Sequence, residues 1–182
     1  MAWLPQHTRL AEPMSVRNVV ANARYRFSER RVDTLKAVHS ALTQLGVDAL
    51  SDRCWTTLSG GEQQRVNLAT LIAQEAELWF LDEPANHLDP AVQQTVFQQL
   101  YTQWTAGQTL VMITHDLNLL LSTIPSTKHS RVRVLGLDNG SLQFLEPLDS
   151  KQLPRYLEAL YKVSIAEITV FGRRHWVFGA QQ

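Results

Sequence analysis

Three short stretches of the chain set residue types that do chemistry at meaningful spacing. The first is Leu58-Ser59-Gly60-Gly61-Glu62-Gln63-Gln64-Arg65. Ser59 with Glu62 three residues on is a capping box, which fixes a helix start. The free N–H groups of that first turn and the helix dipole then point outward at an anion. Two glycines at the tip let the backbone approach it without a Cβ in the way. A plain capped helix after a glycine turn would account for Ser59–Glu62 alone, but not for the full run to Arg65. The second stretch, Leu78-Trp79-Phe80-Leu81-Asp82-Glu83-Pro84, closes an apolar strand with two adjacent carboxylates, at the edge where α/β sheets bind ligands. Buried unpaired carboxylates are costly, so a metal or proton-transfer role would explain them. Asp82 suits Mg²⁺, directly or through water, and Glu83 suits polarising an attacking water. The third stretch, Val111-Met112-Ile113-Thr114-His115-Asp116, ends a second apolar strand in a histidine. If the two strands are near one another, His115 sits beside Glu83 and can hydrogen-bond a transferring phosphoryl oxygen. Asp89, seven residues after Asp82, ends Asn86-His87-Leu88-Asp89 before Pro90 and also reads as a helix cap.

The elements that must hold these residues can be read from punctuation and periodicity. Ser15 caps a helix over about 16–27, and a second helix over about 33–45 ends at Gly46, where a C′ glycine belongs. Residues 1–57 thus read as a small, mostly helical unit. From Thr57 the texture changes. A helix from the glycine pair to Ala73 is followed by an apolar strand over 78–81. A helix opened by Asp89-Pro90 runs to about Ala106, and a second apolar strand covers 109–114. Strands apolar throughout and separated by helices are what a parallel sheet covered on both faces requires. A short helix over 117–121 follows. The tail is antiparallel: strands over 131–136 and 141–145 turned at Asn139-Gly140, a helix near 152–160, and a hairpin over 164–171 and 175–178 turned at Gly172. The 23 residues from Ser59 to Asp82 and the 33 from Asp82 to His115 each fit one helix plus one strand.

Composition bounds the function class. With 45% apolar and 19% charged residues, the 182-residue chain is an ordinary globular protein of about one domain. Seventeen Lys+Arg balance seventeen Asp+Glu, which argues against a sequence-independent nucleic-acid binder. The single cysteine, Cys54, cannot form an internal disulfide. No membrane span or signal peptide is visible in the sequence, so a soluble intracellular protein is expected.

Taken together, the motifs closely resemble the ATP-binding subunits of ABC transporters. Ser59–Arg65 looks like that family's signature motif, Leu78–Glu83 like its Walker B strand with the catalytic glutamate, Asn86–Asp89 like its D-loop and His115 like its switch histidine. Gln6 resembles the Q-loop glutamine, which in the family senses Mg²⁺ and the membrane partner. The resemblance implies a P-loop NTPase-like α/β fold with a helical subdomain. Residues 1–57 would form the Q-loop region and helical subdomain, and 58–182 the carboxyl-terminal part of the ATPase core. It implies ATP and Mg²⁺ as ligands, with Gln6, Ser59, Gly60, Gly61, Glu62, Asp82 and Asp89 around the nucleotide, and Asp82 and Gln6 on the metal. Glu83 and His115 would be catalytic. Implied partners are transmembrane permease subunits, a second copy of the subunit facing head to tail and, indirectly, an external substrate-binding protein, with no nucleic acid. The implied location is cytoplasmic, on the inner face of the cell membrane. Leu4-Pro5-Gln6, Ser15–Val20 and Asn86–Asp89 look most like the importers of iron-siderophores, haem and cobalamin. Ala85, where family members often carry threonine, departs mildly from the pattern.

One part of the family pattern is absent from the sequence. Phosphate binding needs a loop of the type G-x-x-x-x-G-K-[ST]. No two of the eight glycines stand five apart, and no Gly-Lys dipeptide occurs. In the family this loop and an aromatic platform for adenine precede the Q-loop, so the chain reads as one that begins after them, through a mis-started reading frame or a natural split. The resulting expectations are a chain inactive alone and apolar surface left uncovered around Leu78–Leu81 and Val111–Ile113. Rival readings are a non-hydrolysing module that occupies a permease and a non-transport ABC ATPase.

Overall fold

A computed structural model describes residues 1–5 and 13–180, which form two compact units, Met1–His115 and Asp116–Gln182. In the first unit, β1 (Ala2–Leu4), β2 (Leu78–Asp82) and β3 (Thr109–Ile113) form a parallel sheet in that order. Trp3, Phe80 and Val111 share one row across it, and Asp82 lies opposite Ile113. The strand β1 adds to the helices of residues 1–57 an element that the sequence did not announce. Three residues are too few for a periodicity to declare itself, and only pairing with β2 makes them a strand.

Alternation along the strands gives the sheet one covered and one open face. Ala2, Leu4, Trp79 and Leu81 are buried on the covered face, where α3 packs against β1. On the other face Trp3 is 64% exposed, Val111 47% and Ile113 63%. A sheet covered on both faces is therefore not what residues 1–115 build. The expected apolar exposure holds at Val111 and Ile113 but not at Trp79 and Leu81, which face the core.

The helices of this unit are α1 (Val16–Asn22), α2 (Arg31–Gln44), α3 (Gly60–Ala73) and α4 (Pro90–Thr105). Ser15 caps α1 by accepting the Asn18 N–H, and Gly46, at φ +63°, lets the chain leave α2 in the left-handed region. The first helix ends five residues before the expected 27, because Arg24 turns inward and its side chain takes partners outside the helix. Val19 and Val20 of α1, Val38, Ala41 and Leu42 of α2, and Val66, Leu68 and Leu71 of α3 are buried in this unit.

The second unit contains α5 (Leu117–Thr123), the hairpin β4 (Arg133–Asp138) with β5 (Ser141–Pro147), α6 (Leu153–Tyr161), and the hairpin β6 (Val163–Val170) with β7 (Arg173–Ala180). Leu117, Leu121, Phe144, Leu148, Leu153, Leu157 and Trp176 form its core. Asn118 fastens α5 to β7: its amide donates to the Trp176 carbonyl and accepts the Trp176 N–H, each at 2.9 Å. The strand expected at 131–136 begins at Arg133, because Ser126–Arg131 coil into a 3₁₀ helix that buries His129.

Candidate functional site

The carboxylate doublet and the histidine meet at the carboxyl ends of neighbouring parallel strands. Asp82 is the last residue of β2 and is half-buried. Glu83 follows with φ +47°, a left-handed conformation rarely held by residues other than glycine. Its N–H donates to the Ile113 carbonyl at 3.0 Å, so β3 holds the backbone there. The side chain reaches His115, with Glu83 Oε1 2.9 Å from His115 Nδ1. The Glu83 side chain is 18% exposed and that of His115 68%, so a screened carboxylate meets a solvent-facing imidazole. This juxtaposition can hold a water for attack, with the imidazole orienting the carboxylate.

The glycine-pair helix starts as its capping box requires. Ser59 N–H and Oγ donate to Glu62 Oε2 at 2.8 and 2.9 Å, and the Glu62 N–H donates to Ser59 Oγ at 3.4 Å. The Ser59 backbone N–H and hydroxyl hold the Glu62 carboxyl below the usual carboxylate range, with Arg53 adding to the effect. Glu62 thus serves the helix terminus itself. The two glycines differ. A Cβ on Gly60 would meet nothing within 4 Å, whereas one on Gly61 would sit 3.2 Å from Val92. Only Gly60 therefore opens the backbone outward, while Gly61 lets α3 lie close to α4.

Ser59, Gly60, Arg65, His87, Asp89 and Val92 line a shallow pocket that Gly61 and Glu62 also border. Asp89 caps α4 by accepting the Ala91 and Val92 N–H groups, each at 3.1 Å. Among the described residues, Arg65 Nε is buried without a hydrogen-bond partner. The Gln64 amide donates to the Pro84 carbonyl, which joins α3 to the turn after Glu83. The sequence-derived residues thus fall into two groups: Ser59, Gly60, Gly61, Glu62 and Asp89 around the pocket, and Asp82, Glu83 and His115 at the strand ends. Gln6 lies outside the described residues. Reading the sequence alone assigned no role to Gln64 or Arg65; their place in the Ser59–Arg65 run was the available signal.

Asp82 supplies one hard oxygen donor, and among the described residues no cluster of three or more His, Cys, Asp or Glu could hold a metal ion. That donor set fits Mg²⁺ only as it usually binds, through one or two carboxylates together with substrate phosphates and water.

The family model described as ABC transporter matches residues 1–86. The hemin import ATP-binding protein HmuV of Pseudomonas fluorescens is 32% identical over 183 residues, covering 96% of this chain and 68% of its own length. This chain belongs to the ABC transporter ATP-binding family. HmuV of Pseudomonas aeruginosa is likewise 32% identical over 170 residues, and the chain spans 64% of that relative's length. The achromobactin transport ATP-binding protein CbrD of Dickeya dadantii is 37% identical over 124 residues, covering 65% of this chain and 46% of CbrD. A structure described as the inward-facing conformation of a metal-chelate type ABC transporter superposes at TM-score 0.83 and 24% identity, over 97% of this chain and 71% of that one. That likeness establishes the ABC ATPase fold. No helix among the described residues is long and apolar enough to cross a membrane.

Proposed function

We propose that the chain is part of the ATP-hydrolysing subunit of an ABC importer for haem or an iron-siderophore. The observation that carries this reading is the 2.9 Å pair between Glu83 and His115 at the ends of adjacent parallel strands, with Asp82 beside it. In this reading Glu83 is the base that polarises the attacking water. His115 orients that carboxylate and hydrogen-bonds the departing phosphoryl group. Asp82, with Gln6, would hold Mg²⁺, which would offset phosphate charge. The relatives named for hemin import and achromobactin transport support the substrate class; cobalamin stays a wider possibility of the same type.

Ser59–Glu62 and the strand-end carboxylates belong to separate groups, which supports a nucleotide shared between two copies facing head to tail. One copy then offers Ser59, the Gly60 amide and Asp89 to the phosphates bound on its partner. Residues 1–57 are the part that meets the permease, and 58–182 carry the chemistry, on the inner face of the membrane. An external substrate-binding protein is engaged only through the permease. Residues 1–182 contain no phosphate-holding G-x-x-x-x-G-K-[ST] loop. Hydrolysis therefore needs that loop from outside these residues, and losing even one preorganised donor costs about 2.7–4 kcal/mol. The same lack favours a second reading, a module that occupies the permease without hydrolysis.

The test is co-expression with haem- or siderophore-type permease subunits and a polypeptide that supplies the G-x-x-x-x-G-K-[ST] loop, purification through the permease, and assay of MgATP turnover. The hydrolytic reading expects permease capture by both parent and Glu83→Gln, with turnover in the parent only. Capture with equal, negligible turnover in both selects the non-hydrolysing module. Absence of capture overturns both.

A further inference from the structure

The turn between α1 and α2 holds a guanidinium that the site does not use. Arg24 is 6% exposed. Its Nε and Nη2 donate to the two oxygens of Glu29 at 2.5 and 2.6 Å. Its Nη1 donates to the Ala73 carbonyl at 2.9 Å and to Glu75 Oε1 at 2.7 Å. Thr34, in the first turn of α2, donates its hydroxyl to Glu29 Oε1 at 2.8 Å. The Phe27 ring lies 4.1 Å from the Arg24 guanidinium carbon, and Arg26 donates to the Gln74 carbonyl. Ala73 and Gln74 are the last residue and the C-cap of α3.

Three of these contacts, Arg24 to the Ala73 carbonyl and to Glu75 and Arg26 to the Gln74 carbonyl, fasten the far end of the helix whose first turn carries Ser59 and Gly60. Glu29 and Thr34 tie the Arg24 guanidinium to the start of α2. Energy alone does not explain such a cluster, since a buried ion pair roughly breaks even against apolar packing. What a planar fork supplies is direction: it fixes a carboxylate, a carbonyl and a second carboxylate at once, which lysine cannot do. The 14 residues of α3 span roughly 21 Å. A tilt of about 10° at the clamped end would therefore carry the first turn some 3–4 Å, well beyond the ~0.5 Å tolerance of a working site.

We infer that Arg24 is a positioning residue: it locks the carboxyl end of α3 to the α1–α2 turn and the start of α2, and so aims the Ser59–Gly61 end. This rests on the reading that Ser59–Gly61 face a phosphate.

Hydrogen exchange on the full chain tests it without nucleotide. Arg24→Lys should accelerate exchange at Gln63, Gln64 and Arg65 about tenfold, with Leu78–Asp82 changing less than about twofold. Equal acceleration in both stretches means a purely stabilising role and overturns the inference, as does acceleration confined to residues 24–29. Glu75→Ala removes one partner, itself 59% exposed, and serves if Arg24→Lys does not fold. It should give a smaller version of the same pattern, and no change at residues 63–65 would overturn the inference. Ser59→Arg separately tests the phosphate-facing reading through MgATP turnover of the permease assembly. If turnover survives while the exchange pattern holds, that reading fails and the clamp on α3 stands.

Discussion

Glu83 carries two unusual features at one position, a left-handed backbone and a side chain held by His115. Left-handed geometry costs a non-glycine residue roughly 1–2 kcal/mol, whereas a single side-chain hydrogen bond returns about 0.5–1.5 kcal/mol. Stability therefore does not account for glutamate here. Glu83→Gly should leave the unfolding free energy in urea within about 1 kcal/mol of the parent, because relieved strain offsets the added freedom of the unfolded chain. A loss above about 2 kcal/mol would show that the pair is structural. Ser59 is the opposite case, since its hydroxyl caps α3. Ser59→Ala should cost about 1 kcal/mol in the same measurement. The strand-end residues stood out in the sequence through their order and spacing with Ser59–Arg65, since a strand closing in Asp-Glu or a lone histidine reads on its own as surface or structure. Arg24 did not: an arginine within a helix expected over 16–27 reads as solvated, and only the fold brings Glu29, Ala73 and Glu75 to it.

At the scale of elements, caps and turns were legible wherever the chemistry is local. Ser15, Ser59 and Asp89 each cap a helix at the expected place, and the residues from Gly60 to Ala73 form the expected helix. Features set by distant partners were not legible, such as the strand β1 and the early end of α1. Gly136 is another. A Cβ there would stand 2.2 Å from the Phe144 ring across the hairpin, so the glycine makes room for that buried aromatic. Gly136→Ala should destabilise the chain by about 1–3 kcal/mol, read by thermal unfolding. The Arg24 cluster also sets a pH dependence. The Arg24 hydrogen bonds, with one from Thr34, hold the Glu29 carboxyl down at about 2, against an ordinary 4.5. A carboxyl depressed in the folded state contributes stability above its ordinary value, and that contribution is lost as pH falls through the depressed one. Unfolding midpoints should therefore fall between pH 4.5 and 2, and Glu29→Gln should flatten that part of the profile.

At the scale of the whole molecule, the open face of the parallel sheet is an exposed apolar surface within residues 1–115. Trp3, Val111 and Ile113 present apolar area there, and β3 forms the sheet edge in residues 1–115. Such a face drives association unless something covers it. Light scattering of the isolated chain should show concentration-dependent self-association, which Ile113→Lys reduces without lowering stability. Residues 1–182 contain no G-x-x-x-x-G-K-[ST] loop, so under the proposed function Glu83 and His115 act only where that loop is supplied. The most direct test is MgATP turnover by the permease assembly, supplied with the loop-bearing polypeptide and carrying either the parent chain or Glu83→Gln, with the isolated chain measured alongside. No turnover is expected from the isolated chain, turnover from the parent assembly, and at least a hundredfold loss in the Glu83→Gln assembly. Equal turnover in the two assemblies, or Glu83-dependent turnover by the isolated chain, would contradict the proposed function.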